Sequence, residues 1–350
     1  MRGCVGPIGL MDRLKGRLSL SVCQAAWLST TMIWLFGTWC VAATENRPLQ
    51  TLDKLLTGVG YISIPLKGAK ASRPVITASV NDTNCTFLVD SGWSISSIDE
   101  RALGPLKTAK ESGKAVSDPL FQKFNPNSFT VIEKLKLGSF ELDDQSFLLK
   151  SLKSLKRQGG IPAEGVLGGD FLLRQLCILD CGQRRLYARK TVLTLQDRTA
   201  MAAFLRERGF VEIDLEPSGL FVLTCNAKVN GTATRILVDT GASATILDQL
   251  FSDRLRLPRT EKRERAVRGV GRIGASWIYS TVMDALEIGG ATDGVTLANL
   301  TVGVADLSRW GIAEGPKRSS DIQGVLGIDL LSSNNAVIEY PARKLWLKGP

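Results

Sequence analysis

Two stretches of this chain can be laid over each other without a gap, and that duplication constrains the fold more than any other feature. Residues 61–66 (YISIPL) fall on 210–215 (FVEIDL), and residues 78–99 (ASVNDTNCTFLVDSGWSISSID) fall on 227–248 (AKVNGTATRILVDTGASATILD). The lead-ins agree as well: LDKLLTGVGY at 52–61 and MAAFLRERGF at 201–210 each carry an apolar pair and then a Gly that stops a helix. Downstream, KLKLGSFEL (134–142) resembles ALEIGGATD (285–293). GVLGGDFLLRQLCILDCGQRRLYAR (165–189) resembles GVLGIDLLSSNNAVIEYPARKLWLK (324–348). A period this long is not that of a solenoid. It implies two copies of one domain, which 350 residues can supply. The expected division is a leader at 1–43, a first lobe at 44–190 and a second lobe at 191–350.

Within each copy the pattern is mainly β. Short apolar or alternating runs are separated by turn signals at Asn81-Asp82, Asn230-Gly231 and Gly289-Gly290. The clearest predicted helix, over 194–209, opens the second copy.

The duplicated segment carries a carboxylate to the end of an aliphatic run: FLVDSG places Asp90, and ILVDTG places Asp239. A buried carboxylate is costly unless it is paired or hydrogen-bonded. If two such lobes meet about a pseudo-twofold axis, equivalent loops face each other and Asp90 meets Asp239. Two carboxyls in contact share a proton. The ionised one can take a proton from water while the protonated one hydrogen-bonds a substrate carbonyl. Gly92 and Gly241 let the backbone turn tightly, and the hydroxyls of Ser91 and Thr240 can bond across the interface.

Composition narrows the chemistry. The chain has no histidine, which removes Ser-His-Asp and Cys-His machinery and most transition-metal sites. Neither a metal nor an organic cofactor is expected. The net charge of +10 is scattered, apart from the mixed-sign run RTEKRERAVR at 259–268, and aromatic residues are few, so no nucleic-acid partner is expected. Cys85, Cys177, Cys181 and Cys225 in the body read as buried thiols rather than a disulfide framework.

Asp-Ser-Gly or Asp-Thr-Gly after an apolar strand, followed later by Val166-Leu167-Gly168 or Val325-Leu326-Gly327, resembles the aspartic proteases over roughly residues 50–350. The Gly-x-Asp-x-Leu form is closer to the retroviral type, and the single chain with both copies is pepsin-like in plan. The resemblance implies a mainly β fold: two homologous acid-protease β-barrel lobes related by pseudo-twofold symmetry, with short helices. It implies an aspartic endopeptidase acting on a polypeptide, with Asp90 and Asp239 catalytic and Ser91, Gly92, Thr240 and Gly241 forming the active-site turns. Trp93 and Ala242 follow those turns, and Trp93 departs from the small residue usual in the family. It walls a subsite, blocks the cleft, or is a plain core aromatic. The second copy offers a flap, RGVGRIGASWIYSTV at 268–282, whose Gly269, Gly271, Trp277 and Tyr279 are candidate substrate contacts; both aromatics can equally be ordinary strand residues. The first copy, KAVSDPLFQKFNPNSFTVI at 114–132, has no Gly there. The rival reading is a catalytically degenerate peptide-binding module. The chain is expected to be a monomer.

Arg13, Lys15 and Arg17 precede an uncharged stretch from Leu18 to Ala43 that ends in Val41-Ala42-Ala43. This reads as a secretory signal, with an uncleaved membrane anchor through 18–43 as its rival. An extracytoplasmic location, secreted or periplasmic, follows from either.

Overall fold

Asn81-Asp82 and Asn230-Gly231 close two-residue hairpins, with all four residues at positive φ (47°, 65°, 47° and 79°), as the right-handed twist of paired strands requires. In the computed structural model these hairpins open two β-barrels. The structure describes residues 50–105, 129–153, 155, 163–219, 221–264, 278–290, 294–310 and 322–349. All of them belong to the unit Leu49–Pro350.

The strands of the first copy are β1 (Ile62–Pro65), β2 (Val75–Val80), β3 (Thr83–Val89), β4 (Ser97–Ile98), β5 (Phe129–Leu137), β6 (Phe140–Leu149), β7 (Gly165–Leu167), β8 (Ile178–Asp180) and β9 (Arg185–Ala188). Those of the second are β10 (Phe210–Asp214), β11 (Glu216–Ser218), β12 (Val222–Val229), β13 (Thr232–Val238), β14 (Ile246–Asp248), β15 (Arg259–Glu264), β16 (Ile278–Gly289), β17 (Gly294–Ala305), β18 (Ile322–Leu326), β19 (Val337–Glu339) and β20 (Lys344–Lys348). The first barrel runs β2-β3-β7-β4-β6-β5 and closes where Val80 pairs with Leu135. The second runs β12-β13-β18-β14-β17-β16 and closes where Val229 pairs with Leu286. Strand alternation fills each interior: Ile76, Val80, Phe87, Val89 and Leu135 in one, Ala227, Val229, Ile236, Val238 and Leu286 in the other.

A third sheet joins the copies in the order β1-β9-β8-β19-β20-β10. At its centre β8 of the first copy pairs antiparallel with β19 of the second, Leu179 opposite Ile338. Two helices, Leu52–Gly58 and Leu195–Glu207, pack beside it over Leu56, Tyr187, Met201, Phe204 and Trp346. Both are N-capped by a threonine, Thr51 and Thr194, whose hydroxyl accepts a backbone N–H of the first turn. The expected mainly β, two-barrel fold with short helices is what the chain adopts. The expected thiols Cys85, Cys177, Cys181 and Cys225 are free and buried. The leader lies outside the described residues, among which no helix is long and apolar enough to cross a membrane.

Candidate active site

β3 and β13 both run past the centre of their barrels and end at a carboxylate. Each is flanked by a parallel strand from its own lobe: Leu88 pairs with Val166 of β7, and Leu237 with Val325 of β18. The backbone N–H of Asp90 donates to the Leu167 carbonyl, and that of Asp239 to the Leu326 carbonyl, both at 3.0 Å. These bonds aim both aspartates out of the same end of their barrels.

The turns after the aspartates interlock. The Ser91 N–H donates to Thr240 Oγ1 at 3.0 Å and the Thr240 N–H to Ser91 Oγ at 2.8 Å. The hydroxyls then donate onward, Ser91 Oγ to the Val238 carbonyl at 2.8 Å and Thr240 Oγ1 to the Val89 carbonyl at 2.9 Å. Ser91 and Thr240 are fully buried, so all four bonds form away from water. The two glycines also make room for the facing lobe. Neither needs a left-handed backbone. A Cβ on Gly92 would lie 2.4 Å from the Asp239 carboxyl carbon, and one on Gly241 would lie 2.1 Å from Asp90 Oδ2. Each glycine is the space into which the other lobe's carboxyl fits.

Asp90 and Asp239 are thereby hydrogen-bonded to each other. Burial pushes the Asp90 carboxyl well above the usual carboxylate range, and the Asp239 charge adds to that. Burial also raises Asp239, against the pull of the Asp90 hydrogen bond and of its backbone donors. The two are unequal because their donors are unequal. Asp239 Oδ1 accepts the N–H groups of Gly241 at 2.8 Å and Ala242 at 3.0 Å. Asp90 Oδ1 accepts that of Gly92 at 3.0 Å, while the Trp93 N–H turns to the Asp90 backbone carbonyl at 3.3 Å. Backbone donation therefore favours the charged form of Asp239 more than that of Asp90 within the pair. Arg73 faces the pair. Desolvation lowers its own pKa, the charges of both aspartates oppose that, and its cation lowers both carboxyls in turn.

A supporting layer lies behind the turns. Asp170 Oδ1 accepts the Ser96 N–H and hydroxyl at 2.7 and 2.6 Å, and Ser96 Oγ accepts the Gly168 N–H at 2.9 Å. Asp329 accepts the Thr245 N–H and hydroxyl at 2.9 and 2.8 Å, and Thr245 Oγ1 accepts the Gly327 N–H at 3.0 Å. This is what the aspartate of each Gly-x-Asp-x-Leu does: it ties the segment after the turn to the strand beneath it. Both aspartates were visible in the repeated motif, but the serine and threonine they hold were not singled out.

The remaining candidates are placed as follows. Trp93 is half-buried beside Leu88, Leu152 and Val166; its indole N–H donates to Ser97 Oγ at 2.9 Å, and Lys150 Nζ lies 4.3 Å from the ring centre. Ala242 packs in the equivalent cluster of the second lobe with Leu237 and Val325. Tyr279 sits on β16, its ring under Arg259 and its hydroxyl 3.4 Å from Asp253 Oδ1, which are contacts within the second lobe. Gly269, Gly271 and Trp277 lie outside the described residues. Arg73 and Lys150 were not found from sequence, where isolated cations read as solvated surface.

Two β-barrel lobes, each giving one Asp-(Ser/Thr)-Gly turn to a shared carboxyl pair, define the architecture of an aspartic protease. The comparison with known families agrees: the aspartyl protease family model matches residues 76–171 and again 225–330, once in each lobe and together over more than half the chain. The chain belongs to the aspartyl protease family. No curated protein matches it.

Proposed function

We propose that the chain is an active aspartic endopeptidase of the fused, retropepsin-like kind, hydrolysing polypeptides with Asp90 and Asp239. The observation that carries this reading is the mutually hydrogen-bonded pair held by four buried cross-loop bonds. Asp239, with two backbone donors, is the charged member and takes a proton from the attacking water. Asp90, kept protonated by burial, donates to the substrate carbonyl oxygen. The attack leaves a tetrahedral carbon, and return of a proton to the leaving nitrogen completes cleavage without a covalent intermediate. The rival reading, a degenerate peptide-binding module, is motivated by the atypical first flap, whose residues 114–128 lie outside the described residues, and by Trp93. Its indole is tied to Ser97 and Lys150 of its own lobe, which favours the catalytic reading.

The uncharged stretch 18–43 supports export, with processing at or near Thr44; mass spectrometry of the exported protein would find that N-terminus, and an intact leader in membranes would sink the processed form. Cleavage of an unfolded protein substrate, blocked by a pepstatin-type inhibitor, tests the activity itself. Asp90→Asn and Asp239→Asn should each reduce kcat at least about a thousandfold while the variants stay folded, because the pair acts as a unit. Near-normal turnover in either variant would refute the mechanism.

A further inference from the structure

The duplication lets each residue beside the carboxyl pair be set against its counterpart in the other lobe. The sequence register places Arg73 against Val222 and Trp93 against Ala242. The strand register extends the comparison: Ile98 pairs with Leu149 as Leu247 pairs with Val304, so Lys150 corresponds to Ala305. An equivalent hydrogen bond fixes this, since Leu152 N donates to Asp99 Oδ2 and Leu307 N to Asp248 Oδ1, both at 3.2 Å. The two lobes therefore present matched walls of opposite character. On the second, Val222 and Ala242 pack with Ala305, Leu237 and Val325 in one aliphatic cluster. On the first, the counterparts are Arg73, Trp93 and Lys150.

Among the described residues neither cation has an ion pair outside this site. Lys150 is half-buried on the face of Trp93, its pKa lowered by desolvation alone, and no described carboxylate pairs with it. Arg73 is half-buried with only the catalytic pair as its described anionic neighbours. Arg73 is the cation that acts on the pair, while Lys150, on the face of Trp93, has no anion among the described residues to balance it. A half-buried cation without an anion is costly. An incoming carboxylate would relieve that cost through charge-assisted hydrogen bonds.

We propose that the substrate cleft is polarised: the first-lobe wall, through Arg73 and Lys150, takes an aspartate or glutamate side chain of an extended polypeptide near the scissile bond, and the second-lobe wall takes an aliphatic one. This rests on the endopeptidase reading for the position of the bond that is cut. The stacked Trp93 holds the Lys150 ammonium in place, so the acidic side chain meets a positioned donor rather than a mobile one.

The test uses pairs of synthetic peptides differing only by Glu against Gln, scanned through three positions on each side of the cut. It is run near pH 6, where peptide glutamate is ionised. The wild-type chain should favour Glu about tenfold or more in kcat/KM at one position and show an aliphatic preference across the bond. In Arg73→Gln/Lys150→Gln the Glu:Gln ratio at that position should fall to about 1; should that variant not fold, the Lys150→Gln single variant must show the ratio reduced. Ratios near 1 at every position in the wild type, or a preference that survives in the folded variant, would overturn the proposal while leaving proteolysis intact. If no peptide is cut, the same pairs with a reduced scissile amide are titrated calorimetrically. Tighter binding of the Glu member then supports the polarised cleft and counts against proteolysis, whereas equal or absent binding overturns the proposal.

Discussion

The interlocked turns make Gly241→Ala the most telling single substitution. The added methyl would sit 2.1 Å from Asp90 Oδ2 and 2.2 Å from its carboxyl carbon. Non-bonded carbon and oxygen need roughly 1 Å more than that, so the carboxyl or the turn must retreat. The carboxyl is not free to swing, because Oδ1 holds the Gly92 N–H at 3.0 Å and the pair is bonded to Asp239. Retreat of the turn stretches the four buried cross-loop bonds instead, each worth about 0.5–1.5 kcal/mol net. Overpacking of a tight site costs about 1–3 kcal/mol by itself. A loss of about 3 kcal/mol is therefore expected, which for a folded unit of this size lowers Tm by roughly 5 °C. Proteolysis should fall with it, since the carboxyls no longer meet. Gly104→Ala is the control: nothing lies within 4 Å of its would-be Cβ, and its stability should move by no more than about 0.5 kcal/mol. Calorimetric or urea unfolding of the two variants decides the matter. If Gly241→Ala unfolds at the same midpoint as Gly104→Ala, the glycine is not the receptacle for Asp90 and the account of the turn is wrong.

Three further outcomes follow from the same geometry. Ser91→Ala removes an acceptor for the Thr240 N–H and a donor to the Val238 carbonyl, and should cost about 2–4 kcal/mol in urea unfolding; Thr240→Val should cost a similar amount. Arg73→Gln removes a cation that lowers both carboxyls, so both limbs of the pH–rate profile should move to higher pH, and limbs that stay or move lower would contradict its placement. Asp180, buried in the sheet that joins the lobes, has its pKa raised by desolvation to about 6. A raised carboxylate pKa means that the folded state holds a proton the unfolded chain has released, so this group's contribution to stability is lost as pH rises from about 4 through about 6. Asp180→Asn should then be more stable than wild type at pH 7.5 by about 2 kcal/mol and equal to it near pH 4, by urea unfolding at both values.

The barrels and the carboxyl pair were legible because their information is local and was written twice. Alternation set the barrel-facing residues, the Asn81 and Asn230 turns set the hairpin register, and Asp90 and Asp239 aligned without a gap. What was not legible depends on partners distant in sequence. The pairing of β8 with β19 leaves no mark in either segment. That Gly92 and Gly241 also make room for the opposing lobe's carboxyl leaves no mark in the turn sequence itself. Ser96 and Thr245 looked like ordinary strand-edge hydroxyls until Asp170 and Asp329 were placed beside them. Arg73 and Lys150 were hidden for a different reason. A single cation in a basic chain carries no signal, and these two become informative only when Val222 and Ala305 are seen in the matching places.

The duplication also explains why the two turns can differ at all. A homodimer built from one such lobe would carry two identical turns and could hold its shared proton on either carboxyl equally. In a single chain each turn can change alone. Here the residue after the glycine is Ala242 in one lobe and Trp93 in the other. The Ala242 N–H reaches the carboxylate, whereas the Trp93 N–H reaches only the backbone carbonyl of Asp90. One amide donor thus separates the two aspartates and favours the charged form of Asp239 over that of Asp90. The same residue that removes the donor supplies the ring on which Lys150 rests. A change at one position after the turn can therefore bias the pair toward one charged member and seat Lys150 on an aromatic face, and neither effect is open to a symmetric dimer without altering both halves of its cleft.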